Sequence, residues 1–235
     1  MEENENKEEI KEEGKQETSV NGTEKLKNET VDTVKQVKES MKNVDVKEEA
    51  KATKGFVVEM FKNPLGKIKE IATDNSNKYF KTAIVLVIIW VVAALIGSIS
   101  FKYFSWKLFG ETILGYIKTI LAPLISVVVM SLIIFLMNKK SKKSLVTVLT
   151  TVTTAKLPVI LAKVISLLAL FSYNITTITS RITSLCSIIS TVFMFFAIRD
   201  LTEEKEDKKA FLTFVIVEAI YVVCAFVISF LGINI

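Results

Sequence analysis

Four ionisable residues sit inside long apolar runs of this 235-residue chain: Lys118, Lys156, Lys163 and Glu218. A charge at bilayer depth costs about 2.5–3.5 kcal/mol on insertion scales, so each asks for a reason to be there. Depth along a helix separates them. Lys118 lies about one turn from the outer end of its run, where its stem can carry the ammonium back to the surface. Lys163 lies about 18 residues, roughly 27 Å, into its run and can snorkel at the far surface. Lys156 is about 11 residues in, roughly 16 Å, near the midplane. Glu218 is about 8 residues, roughly 12 Å, into its own run counted from the same side. Lys156 and Glu218 are therefore expected to face each other inside a bundle, because leaving either charge alone would cost more than bringing them together. Such a pair can do one of two things. It can pin helix register, or Glu218 can titrate on an ion or proton path.

Other chemistries find little support. The chain has no histidine, which excludes histidine metal sites and histidine acid–base work. Its two cysteines, Cys186 and Cys224, lie in apolar runs without metal-ligand spacing and read as small buried hydrophobes. No nucleophile–base pair, metal cluster or phosphate-binding loop stands out, so no catalytic, cofactor-binding or metal residue is nominated and an enzyme is not expected.

The elements that must position Lys156 and Glu218 are legible from hydropathy. Residues 1–54 hold fifteen acidic and eleven basic residues and few large apolar ones, so this tail carries −4 while the whole chain carries +5. Its first thirty residues cannot bury enough apolar surface to offset ordering entropy and are expected to be disordered. Val31, Val34, Val37, Met41 and Val44 recur on one helical face, a thin stripe for an amphipathic helix. Residues 55–81 read as two short interfacial helices joined at Asn63-Pro64. Their apolar stripes are flanked by Lys62, Lys67 and Lys69, which suits an anionic leaflet.

Five apolar runs lie within 82–235, at about 82–99, 113–137, 145–171, 182–198 and 210–232, each near the roughly 20 residues a bilayer core needs. The third carries Pro158, which lacks an N–H and clashes one turn back at Thr154; a kink is expected there. Thr150, Thr151, Thr153 and Thr154 precede it and are expected to pack inward. The chain opens on glutamate and lysine, so the first run is expected to act as an uncleaved insertion signal. Lysines and arginine crowd alternate loops: five lysines at 62–81, four in "NKKSKKS" (138–144), and Arg199 with three lysines in "RDLTEEKEDKK" (199–209). Positive charge favours the cytoplasmic side, so five spans put the tail in the cytoplasm and the "GINI" end outside. The same lysines are topogenic and give no ground for nucleic acid binding.

With these elements in order, the chain resembles the Yip (Ypt-interacting protein) family of five-span membrane proteins, in its bacterial form. The resemblance covers about residues 60–233. It rests on "NPLGKIKEI" before the first span, the lysine-rich loop after the second and the proline of "AKLPVIL" in the third. The fourth ends in "FFAIRDL", followed by "TEEKEDKKA". The acidic "DLYGP"-type motif of eukaryotic trafficking members is missing, so GTPase binding and vesicle transport do not carry over. The resemblance implies a non-enzymatic integral membrane protein.

The expectation is thus an all-α fold: a polytopic helical bundle of five transmembrane helices in the cell membrane behind a disordered N-terminal tail. Its leading role is a membrane scaffold or interaction protein that contacts the lipid bilayer and meets cytosolic or membrane protein partners through the tail. The alternative is a small ion or solute transporter or channel built on Lys156 and Glu218. Oligomeric state is left open.

Overall fold

A computed structural model describes residues 31, 35, 46–74, 76–98, 109–138, 143–170 and 173–233. The chain divides into two units, Met1–Asn43 and Val44–Ile235. In the first, Val31 and Lys35 are described, both helical and exposed. The expected disorder of 1–30 and the rest of the valine stripe lie outside the described residues.

In the second unit all regular structure among the described residues is helical. The helices are α1 (Val46–Lys62), α2 (Pro64–Thr73), α3 (Phe80–Ser98), α4 (Phe109–Met137), α5 (Leu145–Ala155), α6 (Leu157–Ser166), α7 (Tyr173–Thr202) and α8 (Asp207–Ser229). A 3-10 turn, Leu167–Leu170, continues α6. Among the described residues, four of these are long and apolar enough to cross a membrane: α3, α4, α7 and α8. The α5–α6 pair, bent by 47°, passes the same test as a unit.

α1 stops where Asn63 and Pro64 interrupt it. Asn63 then caps α2, its side chain accepting from the Gly66 N–H at 3.1 Å, and Pro64 fills the first turn, where no N–H is missed. Gly66 is required by this cap: a Cβ there would collide with the Asn63 side chain. The stripe of α2 does not lie on lipid. Ile68, Ile71 and Ala72 are buried in the core, where α2 packs on α5 and α7. Leu65 and Phe61 stay exposed.

The core runs from this inner layer into the bundle. Phe56, Met60 and Ile71 join one cluster with Val127, Ile134, Val152, Ile160, Met194 and Leu201. α5 begins at Ser144, whose hydroxyl accepts from the Thr147 N–H at 3.1 Å. Its threonines are buried, and Thr150, Thr151 and Thr154 return their hydroxyls to the carbonyls four residues back. That satisfies these hydroxyls within the helix and leaves the methyls to pack against neighbours.

α7 is longer than its apolar run, starting at Tyr173 rather than near 182. "YNITTITSRITS" is too polar for a hydropathy window, yet Thr179, Thr183 and Ser184 bond back into the helix and let it continue. α8 packs on α4 and α7. Of its residues only Ala210 and Val217 are buried, and large side chains from Phe211 to Leu231 point outward. Lipid tails are as apolar as these residues, so a span can leave them so.

Contacts tie the helix ends into two layers. At one end the Asp74 carbonyl accepts from Thr147, the Leu201 carbonyl accepts from Asn138, and Lys143 pairs with Glu203 at 3.2 Å. At the other, the Lys118 ammonium sits over Gly232, and Gly97 faces Leu167.

Candidate functional site

The break between α5 and α6 falls on Lys156. Its backbone is αR at φ −83°, ψ 0°, and it both ends α5 and begins α6. Pro158 occupies the first turn of α6, where its missing N–H disrupts nothing within α6 but denies α5 a continuing bond. The break frees polar backbone in a setting without water, and Ser190 of α7 answers it by donating to the Ala155 carbonyl at 2.9 Å.

Lys156 turns its amine into the bundle. Nζ donates to the Ser126 Oγ of α4 at 3.0 Å, and Ser126 shares a 2.7 Å hydrogen bond with the Tyr221 hydroxyl of α8. Nζ also lies 5.3 Å from the Tyr221 ring centre and 5.9 Å from that of Trp90 on α3. Both are within reach of a cation–π attraction, which strengthens when water is excluded. Glu218, half-buried one turn before Tyr221, acts on Lys156 electrostatically. No ion pair within 4.0 Å forms between the two; the direct hydrogen bond goes to Ser126. The break therefore gathers contacts from α3, α4, α7 and α8 at one point.

Lys156, Pro158 and Glu218 stand out in the sequence because charge and proline are rare at membrane depth. Ser126, Tyr221, Ser190 and Trp90 do not, and sequence reasoning missed them. Serine and aromatic residues are ordinary in membrane helices, and a hydrogen bond between positions 126 and 221 leaves no local pattern. Lys163 is exposed near the end of α6, and Lys118 reaches the C-terminal end of α8.

A second polar cluster lies at the α1–α2 layer, around Lys67. The lipid-facing role expected of this lysine does not hold: it is 8 % exposed. Nζ pairs with Glu59 at 2.7 Å and Glu70 at 3.0 Å, donates to the Tyr79 hydroxyl at 3.0 Å and lies 4.5 Å from the Tyr79 ring centre. Tyr79 in turn donates to Glu70. Burial works against the charge on Lys67, but the bonds to Glu59, Tyr79 and Glu70 outweigh it and raise the pKa. The Tyr79 hydrogen bond holds the Glu70 carboxyl below its ordinary value, with burial opposing. The cluster fastens α1 and α2 to the start of α3.

Among the described residues no group of three or more His, Cys, Asp or Glu side chains could hold a metal ion. Fold and site together define a polytopic α-helical membrane protein in contact with the bilayer, its helices tied to a break in one of them. The Yip1 domain matches residues 58–229, from the end of α1 through α8, and the chain belongs to that family. No curated protein and no solved structure is similar enough to match it.

Proposed function

We propose that this Yip1-domain protein is a non-enzymatic scaffold of the bacterial cell membrane, with five spans, its N-terminal tail in the cytoplasm and its C-terminus outside. The observation that carries this reading is the closed polar centre. The Lys156 amine is taken up by Ser126 and two aromatic faces, and the break beside it is sealed by Ser190. Such a centre fixes helices against one another. Glu218 supplies a countercharge at a distance, one turn before Tyr221 on α8. The α5–α6 pair counts as the third span: it begins beside Asp74 and ends beside Gly97, at the far end of α3. The lysine-rich loops then share the inner side, which fits the positive-inside rule.

A platform held this rigidly leaves recognition to the charged tail, residues 1–54, all of which precedes the matched domain. The test compares intact protein with a variant lacking residues 1–43, the unit that precedes α1, both cross-linked in native membranes. Cross-linked partners specific to the intact protein support the scaffold; identical partner profiles refute the role given to the tail. Charge reversal tests the centre: Lys156→Glu lowers membrane accumulation and adding Glu218→Lys restores it, and failure to restore sinks the pairing.

A further inference from the structure

An apolar cavity of about 620 Å³ opens between α1 and α3. It falls within the range of roughly 300–1,000 Å³ usual for ligand sites. Ala50, Thr53 and Val57 of α1 form one wall and Val85, Ile88 and Ile89 of α3 the other. α1 packs against the start of α3. Glu49 approaches Lys81, while Phe56, two turns further along α1, lies against Tyr79. Residues seven apart on one helix thus meet residues two apart around the start of the other.

Depth then identifies the surroundings. Ile88 lies eight residues beyond Phe80 along a spanning helix, about 12 Å toward the bilayer interior. Val58 and Ile88 at the cavity edge are 44 % and 47 % exposed, so the opening faces hydrocarbon. Thr53 lines the cavity, is itself 6 % exposed, and its hydroxyl has no hydrogen-bond partner. The helix around it does not use this hydroxyl, whereas Thr150, Thr151 and Thr154 of α5 all bond back. The polar rim is unequal in charge. Glu49 is answered by Lys81 at 3.9 Å, and Lys54 makes no ion pair among the described residues. A single net positive charge therefore stands at the mouth of an apolar slot.

We propose that this cavity is a binding site for one acyl chain of an anionic membrane phospholipid, its phosphate held near Lys54. The chain fills the wall between α1 and α3 and so docks the amphipathic helix onto the first span. The site lies in α1 and α3 and so stands apart from the role given to the tail segment before α1.

The test uses full-length protein in vesicles of phosphatidylethanolamine and phosphatidylglycerol that contain a trace of phosphatidylglycerol with a photoactivatable acyl chain. Peptide mapping is expected to find label on 50–58 and 85–89 severalfold above the exposed α8 face at Val222–Phe226. Ala50→Trp and Val58→Trp fill the slot from exposed positions and are expected to abolish that excess while α8 labelling persists, which shows that the protein remains inserted. Labelling equal to that of α8, or an excess that survives both variants, overturns the site. With a photoactivatable phosphatidylcholine the excess is expected to fall, and Lys54→Gln removes the difference between the two lipids. Equal labelling by both lipids in the unmodified protein overturns the headgroup assignment.

Discussion

Ser126→Ala is expected to destabilise the protein more than Lys156→Met, although it removes only one hydroxyl. The alanine leaves the lysine charge in place and takes away its hydrogen-bond acceptor. A hydrogen bond to a charged group contributes about 1.5–3 kcal/mol, and the stranded donor bears the loss. Lys156→Met loses the same bond and the attraction of the two rings, about 0.5–2 kcal/mol for a cation over aromatic faces. It also removes a charge whose presence at this depth costs about 2.5–3.5 kcal/mol. Those terms nearly cancel, and Glu218, half-buried and making no ion pair with Lys156, loses only a distant countercharge, so the methionine variant should lie within about 1 kcal/mol of the starting protein. In the methionine background Ser126→Ala breaks only the bond to Tyr221, worth about 0.5–1.5 kcal/mol. In the starting protein the same substitution loses both bonds, so the double-mutant cycle carries a coupling of about 1.5–3 kcal/mol between positions 126 and 156. Unfolding by titrating denaturing detergent into mild-detergent micelles, followed by fluorescence of the two tryptophans, measures all four corners. Additive effects, or a methionine variant less stable than the alanine one, would refute the claim that Ser126 is the main partner of the buried amine.

The Glu70–Tyr79 bond predicts a pH dependence. The folded Glu70 pKa lies below its ordinary 4.5, so its contribution is complete above that value and is lost as pH falls through the folded pKa. Tyr79→Phe should raise that folded value and flatten the acid limb of the stability curve; an unchanged acid limb would count against the bond. Lys67 has its folded pKa raised, so its contribution persists through neutral and mildly alkaline pH. Ser190→Ala strips the Ala155 carbonyl of its side-chain donor and should cost about 0.6–1.7 kcal/mol, the range measured for hydrogen bonds between membrane helices. The cost should shrink in a Pro158→Ala background, where α5 and α6 can share backbone bonds across the break; an equal cost in both backgrounds would separate Ser190 from the break.

Much of the membrane fold is readable in the sequence because a bilayer imposes a length and a composition that few soluble helices meet. The apolar runs at 82–99, 113–137 and 210–232 each find a helix at nearly those bounds. Lys156 and Pro158 stand out for the same reason, and the break falls between α5 and α6 beside them. Where polarity is mixed, the reading weakens. The start of α7 carries threonines whose hydroxyls turn inward onto their own helix, a satisfaction that hydropathy cannot register. Lys67 beside an apolar stripe looks like a lipid-facing cation, and its burial depends on Tyr79, twelve residues away, folding over it. The partners of Lys156 are harder still, since Trp90, Ser126 and Tyr221 come from three different helices and are joined by tertiary packing alone.

The most direct test of a held platform, as against a conducting one, is flux. Protein reconstituted into vesicles with a proton or monovalent-cation gradient is expected to dissipate it no faster than protein-free vesicles, with or without Glu218→Gln. Dissipation above that background by the unmodified protein, lost in Glu218→Gln, would contradict the account and make the Lys156–Glu218 centre part of a path.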